Sequence, residues 1–166
     1  DNSGAGAVWV FTRSTGVWSQ QGSKLLPTGA TGNAERGRSV SLSADGNTAL
    51  IGGPSDNSSR GATWVFTRSG STWTQQGTKL VGTGFTGGSS QGVSTALSAD
   101  GNSAVIGGWF DNSQAGAIWV YTRSGTTWTQ QGSKLVGTGA AGTAQQGFSV
   151  GLSSDGFTAM VGGPND

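Results

Sequence analysis

The chain repeats itself every 55 residues without a gap, and this constrains the fold more than any other feature. Asp1-Asn2-Ser3 returns as Asp56-Asn57-Ser58 and Asp111-Asn112-Ser113, and Asp166 opens a fourth copy. Trp9, Trp64 and Trp119 align, as do Trp18, Trp73 and Trp128, and Lys24, Lys79 and Lys134. Between the second and third copies 34 of 55 positions are identical. One structural unit is therefore made three times, as residues 1–55, 56–110 and 111–166, and the architecture is that of a repeat protein.

Each unit divides into four short strands. Ala7 to Phe11 is a run of strand formers without helical period, closed by a turn at Ser14-Thr15-Gly16. Trp18 to Leu25 follows, more polar and alternating, with Gln20 and Lys24 off one face. A Gly/Thr-rich connection runs to about Arg38, then Ser39 to Ser43 and Thr48 to Ile51 flank the tight turn Ala44-Asp45-Gly46-Asn47. The Asp-Gly pair supplies the positive φ that such a hairpin needs. No segment has an i, i+3, i+4 apolar stripe, so the fold class is all-β.

Four antiparallel strands per repeat describe a β-propeller blade. The second strand is the most polar, as an outer rim requires. The long connection also fits, because returning from the outermost strand to the next innermost one crosses three strand spacings, about 14 Å.

Composition removes most other functions. The nine Lys and Arg are scattered and the net charge is +1, so nothing marks a nucleic-acid surface. No apolar run approaches the ~18 residues of a membrane span. Without Cys or His there is no thiolate, zinc or imidazole chemistry. Seven of the eight acids are repeat-locked Asp, at Asp1, Asp56, Asp111 and Asp166 and at Asp45, Asp100 and Asp155. A catalytic group is needed once, whereas a turn residue is needed in every unit. Glu35 stands alone and forms no acid–base pair. The expectation is no enzyme, with no catalytic residue and no cofactor.

The segments Ser39-Val40-Ser41-Leu42-Ser43-Ala44-Asp45-Gly46-Asn47-Thr48-Ala49-Leu50-Ile51-Gly52-Gly53-Pro54 and Gly61-Ala62-Thr63-Trp64-Val65-Phe66-Thr67-Arg68-Ser69-Gly70 resemble bacterial FG-GAP repeats, relatives of the integrin-type propeller. Two departures stand out. The Phe-Gly pair reads Arg36-Gly37, Gln91-Gly92 and Gln146-Gly147, and the Gly-Ala-Pro element is Gly-Gly-Pro or, in the middle copy, Gly107-Gly108-Trp109. Kelch repeats are the second choice. The resemblance implies a secreted or cell-surface bacterial protein used for binding or adhesion. Integrin-type repeats often hold calcium in an Asp-rich loop, but Ser43 to Asn47 carries one carboxylate where Ca²⁺ wants six to eight oxygens, so no metal site is expected.

The chain runs from an outer strand pair, Ala5 to Leu25, to an inner pair, Phe148 to Gly163. As propellers need four or more blades, these pairs are expected to join between chains, giving two or three chains in a ring, or a filament. The same ends would follow if the chain were a segment of a longer array. The assembly residues named on this reading are Val8, Trp9, Val10 and Phe11 at one face and Phe148, Val150, Leu152 and Met160 at the other. Six Trp are repeat-locked and expected between blades, with Arg13, Arg68 and Arg123 capping hairpins or covering a Trp face. Trp109 and Phe110 occur in one copy only and are the candidate ligand contacts, with Arg36, Arg38, Phe85 and Phe157 as weaker repeat-breakers. The expected function is self-assembly or a structural, adhesive surface role. The alternative is a multivalent, lectin-like glycan binder with shallow sites between blades lined by Trp and Gln.

Overall fold

The computed structural model describes residues 4–166; Asp1, Asn2 and Ser3, the first copy of the motif, lie outside the described residues. The fold is all-β, with four antiparallel sheets. The first sheet is the hairpin β1 (Phe11–Ser14) and β2 (Val17–Gln20). The second has the order β3 (Ser39–Leu42), β4 (Thr48–Gly53), β5 (Ala62–Ser69), β6 (Thr72–Gln75). The third repeats it as β7 (Ser94–Leu97), β8 (Ser103–Gly108), β9 (Ala117–Ser124), β10 (Thr127–Gln130). The fourth is the hairpin β11 (Ser149–Leu152) and β12 (Ala159–Gly162). Among the described residues the sheets do not close into a barrel or ring.

Strand order follows chain order in every sheet. β3, β7 and β11 are neighbours, so successive sheets meet along their first strands while β6 and β10 lie at the far edges. The close approach depends on glycine. A Cβ on Gly52 would overlap the Gly92 carbonyl, which accepts a bond from the Ser39 hydroxyl (2.8 Å). Gly107 stands in the same relation to Gly147. Hairpin turns are also stitched from sheet to sheet, Ala44 N–H to Ala99 O and Ala99 N–H to Ser154 O, each 2.9 Å.

Each four-stranded sheet is covered on both faces, which explains why the centres of its middle strands, such as Ala49-Leu50-Ile51 and Trp64-Val65-Phe66, are apolar without alternation. Ala49, Ile51, Trp64 and Phe66 form one face, on which Val8 and Leu25, flanking the first hairpin, pack. Leu50 and Val65, on the opposite face, meet Ala104, Ile106, Trp119 and Tyr121 of the third sheet. Burying a side chain of this size stabilises by roughly 1.5–3 kcal/mol. The run expected as a strand from Ala7 is shorter in the first copy. β1 starts at Phe11, and Val8 makes only an isolated bridge to Leu25. Its counterpart β5 extends over eight residues because β4 pairs with its other edge from Gly53↔Ala62 to Thr48↔Thr67, and β1 has no such neighbour among the described residues.

Candidate functional site

The chemistry of this chain is concentrated between consecutive repeats. At each interface the indole of one repeat enters the connection of the repeat before it. Trp64 Nε1–H donates to the Thr28 carbonyl (2.7 Å) and Trp119 Nε1–H to the Thr83 carbonyl (2.8 Å), both rings fully buried. A Cβ on Gly82 would overlap the Trp119 ring, whereas the first copy carries the buried Pro27 at that position. The same connection is held from the outer strand, where Gln75 Oε1 accepts the Thr28 N–H and Gln130 Oε1 the Thr83 N–H, each 2.8 Å.

A second clasp lies further out. Gln21 Oε1 accepts from Trp73 Nε1 (3.1 Å) and Arg68 Nη1 (3.4 Å), and Gln76 does the same for Trp128 (3.0 Å) and Arg123 (3.4 Å). Arg68 and Arg123 lie over their Trp rings at 5.5 and 5.4 Å and donate to Asn47 and Asn102 in the adjacent hairpin turns, so they both cover a ring and cap a turn. Two equivalent clefts open beside these clasps, about 300 and 320 Å³, one lined by Gln21, Leu25, Thr72 and Trp73 and the other by Gln76, Leu80, Thr127 and Trp128.

The two Asp series have different tasks. Asp45, Asp100 and Asp155 fold their hairpin turns. The Ser43 hydroxyl first and the Asn47 N–H second hold the Asp45 carboxyl below its ordinary value, with Ser98 and Asn102 acting on Asp100. Ser153 and the Phe157 N–H do so for Asp155. Asp56 and Asp111 are fully buried instead. Asp56 accepts the Thr31 N–H (2.7 Å) and pairs with Lys79 (2.5 Å), while Asp111 accepts the Thr86 N–H (2.8 Å) and pairs with Lys134. Lys79 and Lys134 thus point inward from a strand segment whose first copy reads as having its Lys off one face. Alternation of polarity in the sequence could not reveal a carboxylate waiting inside. Among the described residues no cluster of three acids is present.

The residues after each buried Asp adopt left-handed backbone, Asn57, Ser58 and Ser59 at φ 49°, 57° and 64°, with Asn112, Ser113 and Gln114 alike. The turn joins two connections, because Asn57 N–H reaches Thr31 O (2.9 Å) while Ser59 O accepts the N–H groups of Ser89 and Ser90 (3.0 and 2.8 Å).

The structure brings Trp109 and Phe110 together and adds Phe148. Trp109 meets the two phenyl rings edge-on, at 5.1 and 6.3 Å between centroids. Phe110 and Phe148 are each about two-fifths exposed, at 38% and 45%. Arg60 and Phe85, each also unique to one copy, form a cation–π pair at 5.4 Å. Arg36 replaces the Gln of the other copies and donates to Pro27 O (2.5 Å) and Ala5 O (2.8 Å). Arg38 and Phe157 are exposed.

The residues expected to join copies lie at or next to the first and fourth sheets. Trp9 is 50% and Phe11 55% exposed, although Trp64 and Trp119 are fully buried and Phe66 and Tyr121 nearly so. Val8 and Val10 are half-buried. On the fourth sheet Met160 is 76% exposed, where Leu50 and Val105 are fully buried, and Val150 and Leu152 are half-buried. Sequence reasoning expected Trp and Gln between units without naming Gln21 or Gln76, and it missed Thr28, Thr83, Asp56 and Asp111 as interface residues. Their signal was repetition itself, which for the Asp series was read as turn chemistry. No protein-family model matches the chain, and no curated protein matches it.

Proposed function

We propose that this chain is a non-catalytic, propeller-type repeat module of the FG-GAP kind, with a kelch-like propeller as the second choice. Its main role on this reading is self-association into a structural or adhesive assembly at a bacterial surface or outside the cell. One observation carries the reading: Trp9, Phe11 and Met160 are exposed at positions whose counterparts in the same chain form the buried interfaces between repeats. A non-catalytic role is supported by the repeat-locked acids, since Asp45, Asp56, Asp100, Asp111 and Asp155 each hold a turn or a connection. Among the described residues no helix is long and apolar enough to cross a membrane. Light scattering on a sizing column tests the proposal. Masses of two or three chains, about 33 or about 50 kDa, or a growing polymer, are expected. A 16.5 kDa species at all concentrations overturns self-association.

A second reading, a multivalent glycan binder, is favoured by the two equivalent Trp- and hydroxyl-lined clefts. A glycan array separates the two readings. Binding lost in Trp73→Ala with Trp128→Ala places sugars in the clefts. Binding lost in Trp109→Ala places them on the aromatic cluster, and a blank array removes this reading.

A further inference from the structure

We infer that a second copy of this chain docks head-to-tail, with Trp9 of one copy seated beside Gly137 of the other. The inference rests on the self-association proposed above and specifies its surface and register. Within the chain an interface has a lock and a key. The lock is a connection whose threonine carbonyl follows a glycine, as at Gly82 and Thr83, or a proline, as at Pro27 and Thr28. The key is an indole with an outer-strand Gln, as in Trp119 and Gln130.

The chain carries a third lock. Ile118, Leu135, Val136, Gly137, Ala159 and Val161 line a cleft of about 450 Å³. Gly137 and Thr138 occupy the positions of Gly82 and Thr83. Gln146 holds Gly137 through its N–H (2.5 Å) and carbonyl (3.0 Å), as Gln91 holds Gly82, so the lock is already shaped. Asp166 accepts the Ala141 N–H (2.7 Å), as Asp111 accepts that of Thr86. Only the clasp differs. Gln131, the counterpart of Gln21 and Gln76, turns back to donate to the Thr122 hydroxyl (2.7 Å).

The chain also carries a third key. Trp9 is half exposed and Trp18 is 66% exposed. Gln20 is preset by a bond from its amide to Gly22 O (2.9 Å), the pose in which Gln75 and Gln130 bond Gly77 O and Gly132 O while accepting from the preceding connection. In the docked pair the Trp9 Nε1–H donates to Thr138 O and Gln20 Oε1 accepts the Thr138 N–H. Gln131 swings out to take Trp18 Nε1 and Arg13. The contact is heterologous, so copies form a ring where the rotation closes and a filament where it does not. An interface already built twice in the chain needs no new complementarity to be built a third time.

The register predicts one further neighbour pair. Ser41 and Thr95 face one another across adjacent first strands with hydroxyls 3.4 Å apart. Their counterparts between copies are Gly151 and Val40, and a Cβ on Gly151 meets nothing within 4 Å. Sedimentation or light scattering over a concentration series compares the wild type with Trp9→Ala and Gly137→Trp, and circular dichroism checks that each variant folds. Each substitution is expected to weaken association about 30-fold or more, as loss of a hot-spot residue does, and the pair together hardly more than either alone. The double variant Val40→Cys, Gly151→Cys is expected to give disulfide-linked multimers on oxidation, in a chain that otherwise has no Cys. If the wild type associates but neither substitution weakens it and no disulfide forms, this register is wrong while self-association stands. A wild type that stays monomeric removes both.

Discussion

Arg36 stands where the other copies have Gln91 and Gln146, and the reason lies nine residues earlier. Gly82 and Gly137 each offer an N–H to the Gln Oε1 and a carbonyl to its amide. Pro27 has no N–H, so an acceptor there would be left unpaired, and Arg36, which only donates, takes the Pro27 carbonyl. Arg36→Gln should cost about 1 kcal/mol. Combined with Pro27→Gly it should recover part of that loss, giving a coupling energy of about 1 kcal/mol in a denaturation cycle; additive effects would break the pairing argument. Tyr121 replaces Phe66 and buries a hydroxyl that has no partner, and the burial pushes its pKa up to about 12. Tyr121→Phe should therefore leave the melting temperature unchanged or raise it, and a fall would show that the hydroxyl finds a bond in solution. Arg36 with Pro27 and Arg60 with Phe85 are repeat-breaking residues that meet in pairs, and such pairing is invisible in a sequence until the fold makes them neighbours.

At the scale of the elements, the two Asp series should respond differently. Asp111→Asn leaves Lys134 facing a neutral side chain in a largely buried site and should cost about 3 kcal/mol in urea unfolding. The hairpin-turn carboxylates act through pH. Their folded-state pKa values lie below the ordinary 3.8, so their contribution is present above that value and is lost as pH falls through the lowered ones. The melting temperature should drop between about pH 4 and pH 2, and a variant with Asn at Asp45, Asp100 and Asp155 should drop less. Equal slopes would show that other groups govern acid sensitivity. The Asp-Gly hairpins could be read in the sequence because turn chemistry is local. The left-handed turn at Asn57 to Ser59 could not, because three non-glycine residues adopt positive φ only when two connections hold them there. Ser58→Gly should relieve that strain and stabilise by about 1 kcal/mol.

Over the whole molecule, cohesion is graded by burial. Amides of β4 and β8 lie in fully or largely buried strands, whereas β1, β2 and β12 are mostly exposed. Hydrogen exchange should therefore be slowest in β4 and β8 and fastest in the two hairpin sheets at low concentration. On the proposed self-association, protection of the hairpins should rise with concentration, since association stabilises whichever state it binds. Val150→Asp, placed opposite Val161 in the fourth sheet, should lower both native mass and melting point. Exchange independent of concentration would place no partner on these faces.

The 55-residue period, the four strands per unit, the hairpins and the all-β class follow from the sequence alone. They are set by local turn chemistry and by repetition, which needs no knowledge of what touches what. The same logic correctly placed Trp64 and Trp119 inside and Arg68 and Arg123 over their Trp rings. Which face each side chain meets was decided only by the tertiary structure. The Asp56–Lys79 pair spans 23 positions of the sequence, the Gln21–Trp73 bond 52 and the Trp64–Thr28 bond 36. A polar side chain buried by the neighbouring repeat looks, in sequence, like one in solvent, because burial here comes from stacking one unit on the next.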